Sequence, residues 1–291
     1  MKSNKKLIDR LFDSVAEKGH VCLGLDTDLA YIPVEYLSGY DTPYKALYNF
    51  NKDIIDATID VTAVYKVQIA YYEALGLDGL QAYADTLAYL RQKNAIIIAD
   101  VKRGDIAKTA EMYALAHFSG DFEADFITVN PFMGMDTLRP FYSFMEKQDK
   151  GLFALVATSN PGASDIEGII AQDGASVSEK VGSMLAQENE GFMGESGYGA
   201  IGAVVGCTNK EQTDRIRNRL PNTFFLIPGY GAQGGKAEDM KNYFKEGNGG
   251  VVNSSRGVLL ARMKPEFANL SFEEAARAET LRMREDIKSA L

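Results

Sequence analysis

Asp100-Val101-Lys102-Arg103-Gly104-Asp105-Ile106 places an acid, a base and a second acid within six residues, directly after the apolar run Ile96-Ile97-Ile98-Ala99. On an extended segment side chains alternate with period two, so Asp100 and Lys102 are expected on one face. Opposite charges side by side at the end of a buried strand are costly unless they pair or do chemistry. A carboxylate beside an ammonium at such a place suits proton transfer and the stabilisation of developing negative charge. The alternatives are a structural ion pair for Asp100 and Lys102 and a helix cap for Asp105.

Positioning these groups requires buried strands with accessible ends. Strand-like runs lie near 21–25, 63–67, 95–101, 126–129, 152–157, 201–206, 224–228 and 250–254. Amphipathic runs separate most of them, at 45–59, 81–93, 106–117, 137–145, 178–187, 210–219 and 237–244. A leading helix is expected from about Asn4 to Lys18, and a last one from Phe272 to Ser289 with an acidic start and a basic end. Alternation of strands and helices predicts a parallel sheet. Eight units in 291 residues fit one closed (β/α)8 barrel with an extra N-terminal helix, a single domain over 1–291; an open doubly wound sheet is the rival. The two longest connections, Asp26–Pro43 and Gly191–Gly199, are candidate lids.

In such a barrel the catalytic groups come from the C-terminal strand ends. The first strand delivers Asp26, the second Lys66, the third Asp100 and Lys102, and the fifth runs into Thr158-Ser159-Asn160-Pro161-Gly162. The seventh runs into Pro228-Gly229-Tyr230-Gly231-Ala232-Gln233-Gly234-Gly235, and the eighth into Asn253-Ser254-Ser255-Arg256-Gly257. Charge therefore gathers on one side of the mouth, and glycines with an arginine on the other. Freed backbone N–H groups and a guanidinium form a phosphate cradle. Lys66 lies within the apolar run Ala63-Val64-Tyr65-Lys66-Val67, where a lysine needs a partner. Asp26 has turn formation as its alternative role.

Other signals are weaker. Gly197-Tyr-Gly199-Ala-Ile-Gly202 precedes a strand and so fails as a dinucleotide motif. Gly229-Tyr-Gly231-Ala-Gln-Gly234 follows one but lacks the acidic residue expected on the next strand. His20 and His117 lack ligand spacing, and Ser159 has no evident His partner for a triad. Tyr71-Tyr72 reads as core or dimer packing. Cys22 and Cys207 read as buried free thiols, with no disulfide or zinc pattern. A formal charge of -9 opposes broad nucleic-acid binding. No signal peptide and no run of roughly 20 apolar residues is present, so a cytoplasmic protein with no membrane partner is expected.

Asp100-x-Lys102-x-x-Asp105-Ile106 resembles the signature of the orotidine 5′-phosphate decarboxylases, and the likeness runs along nearly the whole chain. Gly24-Leu25-Asp26, Lys66, Ser159-Asn160-Pro161-Gly162, the glycine-rich run with Gln233, and Arg256 match further family elements in order. The chain resembles the longer bacterial-type branch, and Asn253-Ser254-Ser255-Arg256 departs from the Val-Gly-Arg form of compact members. The resemblance implies loss of CO2 from orotidine 5′-phosphate to give UMP, with neither cofactor nor metal. It assigns Lys66, Asp100, Lys102 and Asp105 to an alternating charged array in which Lys102 protonates the ring carbanion. Asp26 would contact the ribose, Ser159 the pyrimidine, and Gln233 and Arg256 the phosphate. The family works as a homodimer with shared sites, so Asp105 and Thr109 would reach the partner's site. A magnesium-dependent sugar-phosphate decarboxylase of the same superfamily and a non-catalytic phosphate-ligand binder are the alternatives; Ser159 and Gln233 favour the nucleotide.

Overall fold

The computed structural model describes residues 5–206, 210–230 and 237–291. Eight parallel strands close into a barrel in sequence order: β1 (Val21–Gly24), β2 (Val64–Gln68), β3 (Ile97–Arg103), β4 (Phe126–Val129), β5 (Gly151–Ala157), β6 (Gly199–Val205), β7 (Thr223–Ile227) and β8 (Gly250–Ser254). Closure is direct: β1 pairs with β8 through Cys22↔Asn253 and Leu23↔Ser254. The open doubly wound alternative is thereby excluded. The strands are apolar nearly throughout because helices cover one face and side chains fill the barrel behind the other. Small residues stand beside large ones there: a Cβ on Gly202 would lie 2.5 Å from the ring of Phe153, and one on Gly151 would lie 2.3 Å from that of Phe126.

The longer helices are α1 (Leu7–Lys18), α2 (Pro43–Thr58), α3 (Gly76–Gln92), α4 (Ala107–Phe118), α5 (Arg139–Gln148), α6 (Val177–Asn189), α7 (Lys210–Arg219) and α8 (Phe272–Ala290). Their starts are chemically marked. Ser176 with Glu179 and Ser271 with Glu274 form capping boxes on α6 and α8, satisfying N–H groups that the first turn leaves free. Between β7 and β8 the expected helix is a 3-10 segment, Ala237–Tyr243. Its buried side chains Met240 and Tyr243 are three apart, a spacing that the tighter 3-10 turn stacks on one face.

The extra helix α1 closes the end of the barrel opposite the mouth formed by the C-terminal strand ends. Leu7, Ile8, Leu11 and Val15 are buried, and Ser14 donates to the Ala63 carbonyl just before β2. Asp9 accepts the backbone N–H groups of Glu195 and Ser196 at 3.0 and 2.8 Å. The Gly191–Gly199 segment is therefore no lid. It precedes β6, lies at the strands' N-terminal end and is fastened there by α1. The Asp26–Pro43 connection does follow a strand and reaches the mouth. No helix among the described residues is long and apolar enough to cross a membrane.

Candidate active site

Three strand ends assemble the charged groups. Lys66, on β2, has a side chain only 5% exposed, with its ammonium 2.7 Å from Asp26 Oδ1 and 3.1 Å from Asp100 Oδ2. Burial alone would lower its pKa, but the carboxylates of Asp26 and Asp100 outweigh that and raise it. Burial likewise pushes Asp100 up, yet Lys66 and Lys102 prevail and bring it down to about 2. Both groups are therefore charged across the working range of an enzyme. Gln68 Nε2 donates to Asp100 Oδ2 at 2.8 Å, and the Thr128 hydroxyl donates to Asp100 Oδ1 at 2.9 Å.

Lys102 reaches the array by a route that strand alternation does not describe. The β3–β4 register shifts between Ala99 and Arg103, and Lys102 has φ of 44°, in the left-handed region that non-glycine residues rarely occupy. The N–H groups of Val101 and Lys102 both donate to Thr128 Oγ1 at 2.9 Å, which holds this bulge. The ammonium lands 2.6 Å from Asp100 Oδ1, with the side chain 47% exposed to the cavity. Backbone strain held in place by its surroundings is a common mark of functional sites.

Asp26 is clamped from behind. Tyr72 donates to the carbonyl of Leu25 at 3.2 Å, Thr27 donates to Asn51 Oδ1 at 2.7 Å, and Asn51 Nδ2 donates to Tyr72 at 2.9 Å. This buried network fixes the residues on both sides of Asp26. Tyr72 is thus core, as expected, whereas Tyr71 lines the cavity beside Tyr31.

The mouth holds two adjoining lobes. One, about 280 Å³, is lined by Lys66, Asp100, Lys102, Thr128, Ser159 and Asn253, among others. The other, about 310 Å³, is lined by Asp26, Tyr31, Tyr71, Ser255 and Arg256, with Lys66, Asp100, Pro228 and Asn253 common to both. Ionic chemistry faces the first lobe and an exposed guanidinium the second. The Ser159 loop is braced from outside: Glu167 accepts the Thr158 N–H at 2.8 Å and its hydroxyl at 2.7 Å.

Of the expected site residues, Lys66, Asp100, Lys102, Asp26, Ser159 and Arg256 come together. Asp105 does not join Lys102 within this chain; its carboxylate accepts its neighbour Ile106 N–H at 2.8 Å. Thr109 is exposed on the first turn of α4 and lines neither lobe. Gln233 and Cys207 lie outside the described residues. Cys22 is a buried free thiol, which burial holds in its protonated form. Among the described residues no group of three or more His, Cys, Asp or Glu is arranged to hold a metal. Gln68, Thr128 and Ser255 carry contacts to the array that the strand-end reading assigns to none of them. Gln68 and Ser255 do lie at strand ends, but Thr128 is one residue inside its own.

Fold and site together define a (β/α)8 enzyme whose C-terminal mouth carries the lysine–aspartate array. The chain belongs to the orotidine 5′-phosphate decarboxylase / HUMPS family, whose sequence model matches residues 19–269. It is 58% identical over 285 residues to the orotidine 5′-phosphate decarboxylase of Clostridium acetobutylicum, covering 98% of this chain and 100% of that one. Among solved structures, the OMP decarboxylase of Leishmania donovani matches with a TM-score of 0.77 at 27% identity, over 98% of each chain. The UMP synthase of Leishmania donovani matches with a TM-score of 0.79 at 28% identity, over 99% of this chain and 57% of that one.

Proposed function

We propose that this chain decarboxylates orotidine 5′-phosphate to UMP, the last step of de novo UMP synthesis. The observation that carries the reading is the Lys102 ammonium beside Asp100 at one lobe of a cavity whose other lobe presents Arg256. The pyrimidine would occupy the first lobe near Ser159 and the phosphate the second. The ring carbon–carboxylate bond breaks, CO2 departs, and the electron pair stays on the ring carbon. Lys102 stabilises that pair and transfers a proton to it, then regains a proton from solvent. Asp100, held ionised, would face the substrate carboxylate and disfavour it relative to the product. Lys66 keeps Asp100 and Asp26 charged and oriented. The reaction as written calls for no metal or electron-sink cofactor.

The same reading has the enzyme acting as a cytoplasmic homodimer. Asp105 and Thr109, which line neither lobe of this chain's own cavity, would complete the partner's site. Mixing inactive Lys102→Ala and Asp105→Ala proteins would then restore activity, and failure to do so would remove the shared site.

The deciding assay is incubation of purified protein with orotidine 5′-phosphate, followed by ultraviolet absorbance, with and without EDTA. Turnover unaffected by EDTA is expected. No turnover refutes the catalytic reading, and activity lost on chelation and restored by magnesium would favour a sugar-phosphate decarboxylase.

A further inference from the structure

Arg256 and the charged array face one cavity from different sides, and the Ser255 side chain links the two. Ser255 immediately precedes Arg256, and its hydroxyl donates to Asp26 Oδ2 at 2.9 Å. Asp26 Oδ1 takes the Lys66 ammonium at 2.7 Å, so both oxygens of this carboxylate are held. Lys66 continues to Asp100 at 3.1 Å, and Asp100 to Lys102 at 2.6 Å. The contact spans the seam between β1 and β8. Gly24 makes it possible, since a Cβ there would fall 1.9 Å from Ser255 Oγ and 3.0 Å from Ser255 Cβ. On its other side Ser255 is pinned by the short helix Arg256–Leu259: its carbonyl accepts the N–H groups of Val258 at 3.0 Å and Leu259 at 2.9 Å.

We infer that Ser255 is a positioning residue that couples the phosphate grip to the charged array. The inference rests on the decarboxylase reading. A phosphate drawn onto Arg256 fixes the turn that holds Ser255. Ser255 then keeps Asp26 from rotating, and Lys66, anchored by Asp26, keeps Asp100 aimed at Lys102. Binding energy from the non-reacting end of the substrate is thereby used at the reacting end, where it raises kcat as well as affinity. The chain of contacts lies within one subunit and among ordered strand ends.

The test is a double-mutant cycle of Ser255→Ala and Arg256→Ala on kcat/KM for orotidine 5′-phosphate, with the melting midpoint as a check on folding. Ser255→Ala should lower kcat by about tenfold to a hundredfold, the worth of one hydrogen bond to a charged group, with a much smaller change in KM. In the Arg256→Ala background the same substitution should cost less than about threefold, because the arm it serves is already gone. The melting midpoint should stay within about 2 °C of wild type. Should Ser255→Ala shift it further, Ser255→Gly, which also removes the hydroxyl, takes its place in the cycle. Additive losses, or a loss confined to KM, overturn the coupling while wild-type turnover leaves the functional reading standing. Absence of turnover by the wild type overturns both.

Discussion

Replacing Lys66 by Met removes the cation between two carboxylates while roughly keeping the volume of the side chain. Lys66 is buried, with Asp26 and Asp100 at 2.7 and 3.1 Å. Deleting one partner of a buried ion pair costs about 3–5 kcal/mol, because the other charge remains buried without compensation. Here some compensation persists through Ser255, Gln68, Thr128 and Lys102, so a loss of about 3 kcal/mol at pH 7 is expected. The pH dependence is more diagnostic. In the wild type Asp100 is held at about 2 against an ordinary 3.8, so its contribution is present above 3.8 and lost as pH falls through 2. Without Lys66 the same carboxyl must titrate higher, since burial still pushes it up. The stability gap between wild type and variant should therefore narrow on acidification, by about 1.4 kcal/mol at pH 3 for each unit by which Asp100 rises above 3. Lys66 itself, whose pKa is raised, contributes throughout that window; its share fades only as pH rises beyond 10.5. Urea unfolding followed by circular dichroism at pH 7 and at pH 3 measures the gap directly. A constant gap, or a loss below about 1 kcal/mol at pH 7, would refute a buried, mutually charged array.

Three further outcomes are expected. Lys102→Gly and Lys102→Ala should both abolish turnover, yet the glycine variant should be the more stable by about 1 kcal/mol in denaturant titration, since only glycine adopts this positive φ without penalty. Arg217→Met should lower stability by about 3 kcal/mol or more: the buried guanidinium donates to the carbonyls of Leu220, Thr223, Tyr243 and Gly249, and burial has already brought its pKa down to about 10. A melting midpoint unchanged by that substitution would show the carbonyls to be solvated. Glu167→Ala should raise KM for the substrate by about tenfold, the worth of one charge-assisted hydrogen bond, because Thr158 loses the carboxylate that holds the start of the Ser159 loop; steady-state kinetics with unchanged KM would dismiss the brace.

All eight strands are legible in the sequence within a few residues at each end. Burial on both faces leaves each of them a compact apolar run, and their number fits a barrel, although only the β1–β8 pairing separates that from an open sheet. The charged array is legible for a related reason, since Lys66 and Asp100 stand out against such runs. What is hidden depends on partners remote in sequence. The hydrogen bond of Thr128 to Asp100 joins residues on neighbouring strands, and nothing in Phe126-Ile127-Thr128-Val129 marks that threonine as special. The bulge at Lys102 is equally silent, because the residue carries none of the glycine or asparagine signature of positive φ. The Gly191–Gly199 segment has the length of a lid, but its end of the barrel follows from its place before a strand rather than after one. Arg217, four of whose acceptors are backbone carbonyls, has no carboxylate partner among the described residues for a charge pattern to reveal.

The β1–β8 seam has a consequence for how the molecule comes into being. Asp26 and Ser255 are 229 residues apart, and their hydrogen bond exists only when the first strand meets the last. During synthesis the ribosome releases Asp26, Lys66, Asp100 and Lys102 long before the segment that steadies them. An unfinished chain thus carries the charged groups without the tether, and under the proposed coupling full turnover waits until the last strand has closed on the first.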